Sequence, residues 1–281
     1  MRQLLHISDI HFGPPHVNEV SDGVLDLITR RQPDHVIISG DLTQRAKPHQ
    51  FQQARAFVDR MPVPSLTVPG NHDVPLYRVW ERGFAPYAAY RRYFSPELEP
   101  EFEDEEMLII GLNSAHGLTV KDGRLTRATL RRAARRLAQA PSSVYKLIVV
   151  HHQLVPPPRY DNLRVLENAH EALDLFSRHG VDMVLSGHLH QAYITTSEAY
   201  QPSGRRPVLL VHSGTSTSNR GRGSERLKNT CNWIRLEDGE IEISQLEWRP
   251  QGPGFEQAGF VETSRHRYPR NNQPAFALSR F

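Results

Sequence analysis

The chain has 281 residues, 38% of them apolar and 23% charged, with a formal net charge of +3. No segment approaches the roughly 20 apolar residues that cross a bilayer, so an integral helical membrane protein is excluded and the composition reads as globular and soluble. The small charge argues against nucleic acid as partner, although a sequence pI of about 9.1 leaves smaller anionic partners open.

In chain order, the predicted strands are LLHIS (4–8), HVIIS (35–39), SLTVP (65–69), MLIIGL (107–112), KLIVV (146–150) and DMVLS (182–186). Helical patterns lie between them at 17–31, 48–60, 126–139 and 165–179, with Pro33, Pro62 and Gly180 as stop signals after three of these. The opening half thus reads as βαβαβ. From about 192 the strands follow one another as YITTSE, PVLLVHS, CNWIRLE and EIEISQLEW, the last two joined by an Asp238-Gly239 turn. Two sheets face to face with helices outside accommodate both halves. One domain is expected over 1–248, and an irregular tail rich in Gly, Pro, Asn and Arg over 249–281. The opening run MRQLLHISDI leads directly into the polar residues described next, so removing it as a signal peptide would destroy them, and the cytoplasm is the expected location. Cys231, the single cysteine, forms no intramolecular disulfide and reads as a small buried strand residue.

Each early strand ends in a polar cluster at its C-terminal edge, where open α/β sheets carry their ligand sites. The clusters are Asp9 with His11, Gly40-Asp41, Gly70-Asn71-His72-Asp73, His151-His152 and Gly187-His188-Leu189-His190. Strand alternation puts residues i and i+2 on one side, which fits Asp9 with His11 and His188 with His190 as pairs sharing a metal. A lone histidine at a strand end is usually a surface or hydrogen-bonded residue. Five such clusters of nitrogen and oxygen ligands, none with cysteine, point to a metal centre.

As an ordered set, Asp-x-His, Gly-Asp, Gly-Asn-His-Asp, His and Gly-His-x-His over residues 9–190 resembles the calcineurin-like metallophosphoesterases. The resemblance implies an α/β fold, a four-layer α-β-β-α sandwich of two mixed sheets with outer helices, and a binuclear centre. One metal would take Asp9, His11, Asp41 and His190, and the other Asp41, Asn71, His151 and His188. His72 would be the non-ligand catalytic histidine beside the phosphate. The choice of His151 over His152 follows the family pattern alone, which leaves His152 in a supporting or substrate-binding role. The chemistry agrees: Asp41 has two oxygens with which to bridge cations roughly 3.5–4 Å apart. Two divalent metals against Asp9 and Asp41 leave net positive charge for a hydroxide and a phosphoryl group. The ligand types suit Mn, Fe, Zn or Co, with Mn favoured. Asp73 is expected to orient its loop. His6, His35, His116 and His212 are expected to be structural, with His116 and His212 near enough to strand ends to reach the site.

Within the family, ISDIHFG, SGDLTQRA, PGNHD, SGHLHQ and SGTSTSNRGRG resemble most the bacterial branch of class III cyclic-nucleotide phosphodiesterases and broad phosphodiesterases. That implies hydrolysis of a phosphodiester, a cyclic nucleotide or a related small molecule, by a metal-bound hydroxide. A second branch with similar openings removes UMP from UDP-2,3-diacylglucosamine in lipid A assembly, and other relatives are non-catalytic protein-binding scaffolds. The metal ligands do not separate the two enzyme branches; the loops must. Arg220 and Arg222 either hold a substrate phosphate or belong to a solvated glycine-rich loop. The arginines of 124–136 form either a solvated face or a contact with anionic lipid, which would place the protein at the inner membrane surface. The aromatic residues of 77–106, among them Tyr77, Trp80, Phe84, Tyr87 and Tyr90, either cap the site or pack in the core, and the tail from Phe255 to Phe281 adds further aromatic and arginine residues. Oligomeric state leaves no trace in the sequence.

Overall fold

A computed structural model describes residues 1–76, 78–117, 122–158, 164–200, 206–237, 239–252 and 257–270. Runs of leucine and β-branched residues form the strands, as their propensity dictates. The first half holds β1 (Arg2–Ile7), α1 (Asn18–Arg31), β2 (His35–Ile38), α2 (Pro48–Asp59) and β3 (Ser65–Thr67). Next come α3 (Val79–Phe84), α4 (Ala88–Tyr93), β4 (Glu101–Glu103), β5 (Met107–Leu112), α5 (Arg127–Gln139), β6 (Tyr145–Val150), α6 (Ala169–Arg178) and β7 (Met183–Ser186). The last strands are β8 (Tyr193–Thr196), β9 (Leu209–His212), β10 (Thr230–Glu237), β11 (Glu240–Arg249) and β12 (Gly259–Pro269).

Two six-stranded mixed sheets result, in the orders β12-β11-β10-β1-β2-β3 and β4-β5-β6-β7-β9-β8. β1, β2 and β3 run parallel, as do β5, β6, β7 and β9, and the remaining neighbours are antiparallel. The period of two along each strand sorts side chains into layers. Leu4, Ile37, Ile109, Leu147, Val149 and Leu185 face inward into one cluster between the sheets. Their neighbours Leu5, Val36 and Ile38 face α1 and α2, whereas Leu108, Ile110, Ile148 and Val150 face α5 and α6. The outcome is the expected four-layer α-β-β-α sandwich. Helix starts follow local chemistry: Pro48 opens α2, and the Thr126 hydroxyl accepts from Thr129 N at 3.0 Å to cap α5.

The expectation for the tail needs correction. Residues 259–269 are not irregular: β12 pairs antiparallel with β11 from Glu240↔Pro269 to Arg249↔Gly259, with one register shift. Its alternation is weak because it is an edge strand, so only the face towards α1 is buried. Phe260 packs edge to face on Trp248, with ring centroids 5.4 Å apart. Phe255 and residues 271–281 lie outside the described residues, as do Tyr77 and Asp238. Gly239, the other half of the expected turn, has φ +78° between the paired Glu237 and Glu240.

The aromatic insertion divides. Tyr87, Tyr90, Tyr93 and Phe94 join the core outside the first sheet, whereas Trp80 and Phe84 are 79% and 82% exposed. Of the arginines of α5, Arg132 pairs with Glu99 and Glu101 and Arg136 with Glu101 and Glu103, while Arg127, Arg131 and Arg135 are exposed. None of the described helices is long and apolar enough to cross a membrane.

If β12 is fastened as described, Phe260→Ala costs about 3 kcal/mol, the usual price of deleting a buried aromatic ring. Urea unfolding measures it, and a loss below about 1 kcal/mol would mean that the strand contributes little to the fold.

Candidate metal centre

The parallel strands of the two sheets deliver their C-terminal ends to a common edge, and the loops there bring the expected residues together. Asp9 and His11 follow β1, Asp41 follows β2, Asn71 and His72 follow β3, His151 and His152 follow β6, and His188 and His190 follow β7. Strand pleating does not operate here, because β1 ends at Ile7 and β7 at Ser186, and of the two i, i+2 pairs only Asp9 with His11 falls in one group, His188 and His190 falling in different ones. Asp9, His11, Asp41, His188 and His190 instead adopt left-handed backbone, with φ between +53° and +75°. That region is disfavoured for residues with a Cβ, and it persists where surrounding structure imposes it. Two of the preceding glycines exist for close approach: a Cβ on Gly70 would sit 2.2 Å from Asp41 Oδ1, and one on Gly187 would sit 2.5 Å from Asp9 Oδ2.

One group gathers Asp9, His11, Asp41 and His190, with one ligand atom of each within 4.8 Å of the others. His190 Nε2 lies 3.1 Å from Asp9 Oδ1, and His11 Nε2 lies 3.6 Å from both Asp9 Oδ1 and Asp41 Oδ2. Beside it, Asn71 Oδ1 stands 3.1 Å from His151 Nε2 and 2.9 Å from His188 Nδ1, and Asp41 Oδ1 is 3.4 Å from His151 Nε2. Asp41 therefore faces both groups with different oxygens.

Backbone carbonyls fix which ring nitrogen carries the proton. His151 Nδ1–H donates to Ser39 O at 2.8 Å and His190 Nδ1–H donates to Arg220 O at 2.8 Å. In the neutral rings both Nε2 lone pairs then point at carboxylate or amide oxygens, and His11 Nε2 and His190 Nε2 meet at 3.2 Å. Asp9 Oδ1 and Asp41 Oδ2 are buried with no hydrogen-bond donor. Lone pairs converging from nitrogen and oxygen in a buried site are stable only around positive charge, which is what divalent cations supply. The donor set, oxygen and imidazole without thiolate, suits such metals.

The protonation balance points the same way. Burial opposes ionisation of both carboxyls, yet the histidines around them, chiefly His190 for Asp9 and His151 for Asp41, hold both well below the usual range. Burial lowers His11 to about 4 and His188 to about 3. At His151 burial is outweighed by the Asp41 carboxylate, which raises the ring to about 9, so positive charge is favoured beside Asp41.

Supporting residues fall where their chemistry serves the loops. Asp73 accepts from Leu42 N, Thr43 N and Gly70 N at 2.9–3.1 Å and so ties the second strand-end loop to the third. His152 is buried, its Nδ1 2.8 Å from Ser114 Oγ, and its ring lies 4.6 Å from His188. It groups with His151 and His188 and does not line the cleft. His116 and His212 stand outside both groups: His116 Nε2–H donates to Arg124 O, and His212 contacts Ser186 Oγ and stacks on Tyr193. His6 is buried against Ser39 Oγ, and burial lowers it to about 3.

A cleft of about 340 Å³ opens over the centre, lined by Asp41, Asn71, His72, His188 and His190. Both expected arginines, Arg220 and Arg222, also line it. Gln44, Arg45, Val74 and Leu76 complete the wall and carry no signal in the sequence beyond their place after the Gly-Asp and Asn-His-Asp motifs. His72 Nδ1–H donates to Gln44 O at 2.9 Å and its backbone N–H donates to Asp41 Oδ1 at 2.8 Å.

Because Gly70→Ala must displace Asp41, it should weaken Mn(II) binding roughly tenfold or more while the circular dichroism spectrum stays that of a folded protein. Titration calorimetry reads this directly, and unchanged affinity in the folded variant would remove Asp41 from the ligand set.

A probable cyclic nucleotide phosphodiesterase of Synechococcus sp. is 30% identical over 170 residues, which cover 59% of this chain and 62% of that protein, a little under two thirds of its length. The glycerophosphodiester phosphodiesterase GpdQ of Enterobacter lignolyticus is 28% identical over 68% of this chain and 72% of its own. The 3′,5′-cyclic adenosine monophosphate phosphodiesterase CpdA of Escherichia coli K12 is 28% identical over 67% and 70%. Among solved structures, the purple acid phosphatase PPD1 of yellow lupin superposes with a TM-score of 0.71 at 12% identity, over 99% of this chain and 57% of that one. A dimetal phosphatase of Danio rerio superposes with a TM-score of 0.66 at 10% identity, over 96% and 99%. At such identities these structures speak for the fold alone. The family model for calcineurin-like phosphoesterases matches residues 2–192, well over half of the chain and all five strand-end clusters, and the chain belongs to that family.

Proposed function

We propose that the protein is a metal-dependent phosphodiesterase acting on a small phosphodiester, with Asp9, His11, Asp41 and His190 holding one divalent metal ion and Asp41, Asn71, His151 and His188 a second. The observation that carries this reading is the convergence of undonated carboxylate oxygens and imidazole lone pairs beneath an open, arginine-lined cleft. The similarity to relatives named as phosphodiesterases supports the diester as substrate class.

When bound, the two cations supply Lewis-acid stabilisation of phosphoryl charge and an acidified water. The protein's residues do the rest. Asp41 fixes the spacing of the two groups by facing each with one oxygen. Ser39 O and Arg220 O hold His151 and His190 in the tautomer that presents Nε2 to the site. His72 has its Nδ1–H committed to Gln44 O, so Nε2 is the atom left to act in the cleft. In hydrolysis the water oxygen forms a new bond to phosphorus as the ester P–O bond breaks in line, and His72, whose Nε2 bears a lone pair while Nδ1–H is held by Gln44 O, takes up the proton lost by the water and returns it to the departing alkoxide. Arg220 and Arg222 orient the anionic substrate over the centre.

The reading is tested with manganese-reconstituted protein on bis(p-nitrophenyl) phosphate, cyclic AMP and UDP-2,3-diacylglucosamine, with Asp41→Ala as the blank. Diester or cyclic AMP hydrolysis is expected, with His72→Asn reducing kcat about a hundredfold, the lower end of general acid catalysis. Strong preference for the nucleotide-linked lipid would reassign the substrate. Rates no higher than those of Asp41→Ala would sink the catalytic claim.

A further inference from the structure

Two histidines of the centre have their outer ring nitrogens tied to backbone, His151 to Ser39 O and His190 to Arg220 O. Two others lack such a tie. His11 Nδ1 is buried without a partner. His188 turns Nδ1 to Asn71 Oδ1 at 2.9 Å, so its outer nitrogen is Nε2, which meets no protein hydrogen-bond partner among the described residues. Of these two, His188 lines a recess of about 10 Å³, room for one water, whose wall includes His152, Gln153 and the Asp122–Arg164 ion pair.

Two buried polar atoms of the residues in that wall have no partner, His152 Nε2 and Gln153 Oε1. The Gln153 amide is oriented by its Nε2–H, which donates to Arg164 O at 2.7 Å and leaves Oε1 as an acceptor. His152 Nδ1 lies 2.8 Å from Ser114 Oγ. If the serine donates, His152 Nε2 carries the proton; if the serine accepts, Nε2 carries a lone pair. Either form leaves a buried group that costs free energy until something bonds it, and a water, both donor and acceptor, serves either. The His152 ring has little room to move. Its centroid is 4.6 Å from that of His188 and 5.0 Å from that of His151, while a Cβ on Gly123 would sit 2.3 Å from its Nδ1. His152 is thus wedged between Ser114 and Gly123 and the two histidines of the second group.

We propose that His152 is a positioning residue of that group: its Nε2 and Gln153 Oε1 hold one water in the recess, and the water accepts Nε2–H of His188 and so keeps His188 Nδ1 turned to Asn71. This rests on the metal-centre reading of the same site and adds how its second half is held. A histidine that binds metal through one nitrogen is oriented by the partner of the other, and loss of that partner lowers metal affinity roughly ten- to a hundredfold. The hydrogen bonds balance, because the water accepts from His188, donates to Gln153 and takes whichever role His152 leaves open.

Calorimetric titration of metal-free protein with Mn(II) tests this without turnover, since it counts the sites and yields their affinities. His152→Asn keeps an amide where Nδ1 meets Ser114 but withdraws from the recess, whereas His152→Gln keeps an amide at the place of Nε2. The asparagine variant should lose about tenfold or more in one of two affinities, the same one that Asn71→Ala weakens, with the other unchanged, and the glutamine variant should largely restore it. Equal affinities in the wild type and His152→Asn, or equal losses in both His152 variants, overturn the proposal, the second because it marks a merely structural role. If circular dichroism shows His152→Asn to be unfolded, Gln153→Met, which removes the other partner of the water, carries the same expectation, and an unchanged affinity there is equally fatal. Wild-type protein that binds fewer than two Mn(II) ions overturns the two-metal reading, and the proposal falls with it; two ions bound alike by the wild type and the variants sink the proposal alone.

Discussion

Two carboxylates, Asp9 and Asp41, are buried with imidazole lone pairs turned towards them, and such an arrangement holds together only around positive charge. Much of the surrounding structure is explained by the need to enforce it. Side chains that repel one another in isolation have to be carried to one place by elements stiff enough not to relax. Two packed β-layers provide that stiffness, because the ends of β1, β2, β6 and β7 have neighbours on both sides and the cluster of Leu4, Ile37, Leu147 and Leu185 fills the space between the sheets. The loops then need to span only a few residues.

The cost of that enforcement is visible in the backbone. Five residues of the centre stand in left-handed conformation, at about 1–2 kcal/mol each for residues bearing a Cβ. Hydrogen bonds compensate at three of the five: Asp9 N donates to Gly40 O, His11 N to Asp41 O, and His188 N to Asp9 Oδ2. Asp73, which never faces the cleft, gathers the amides of Leu42, Thr43 and Gly70 and so locks two strand-end loops into one unit. The site is in this sense a single hydrogen-bonded object laid across five strand ends.

The same economy governs the cleft wall. The loop that carries Arg220 and Arg222 also sets the tautomer of His190, which joins the cleft wall to the geometry of the histidine cluster through one carbonyl. On the opposite side Gln44 links His72 through its backbone oxygen and Arg220 through its side chain. A displacement of either loop is therefore felt by a histidine of the centre. Trp80 and Phe84 remain exposed on α3, while the other aromatic residues of that insertion sit in the core.

The sequence by itself determined the chemistry of the site and the class of fold. Motif spacing named the polar residues that meet at the strand ends, and hydrophobic periodicity located the sheets and long helices, because both signals are local and depend on neighbours a few positions apart. It misjudged the i, i+2 pairs, because positive φ at Asp9 and His190 is imposed by packing from distant segments and leaves no local pattern, and His188 and His190 fall in different groups. It missed β12, whose pairing with β11 depends on a partner rather than on its own weak alternation. It left Gln44 and Arg45 unremarked and the aromatic insertion undivided, because burial and cleft lining are properties of three-dimensional neighbours. Only the tertiary structure decided which arginines meet a carboxylate, as Arg132 and Arg136 do at Glu99, Glu101 and Glu103. Charge compensation acts between side chains brought within a few ångströms across the fold, and sequence distance does not record it.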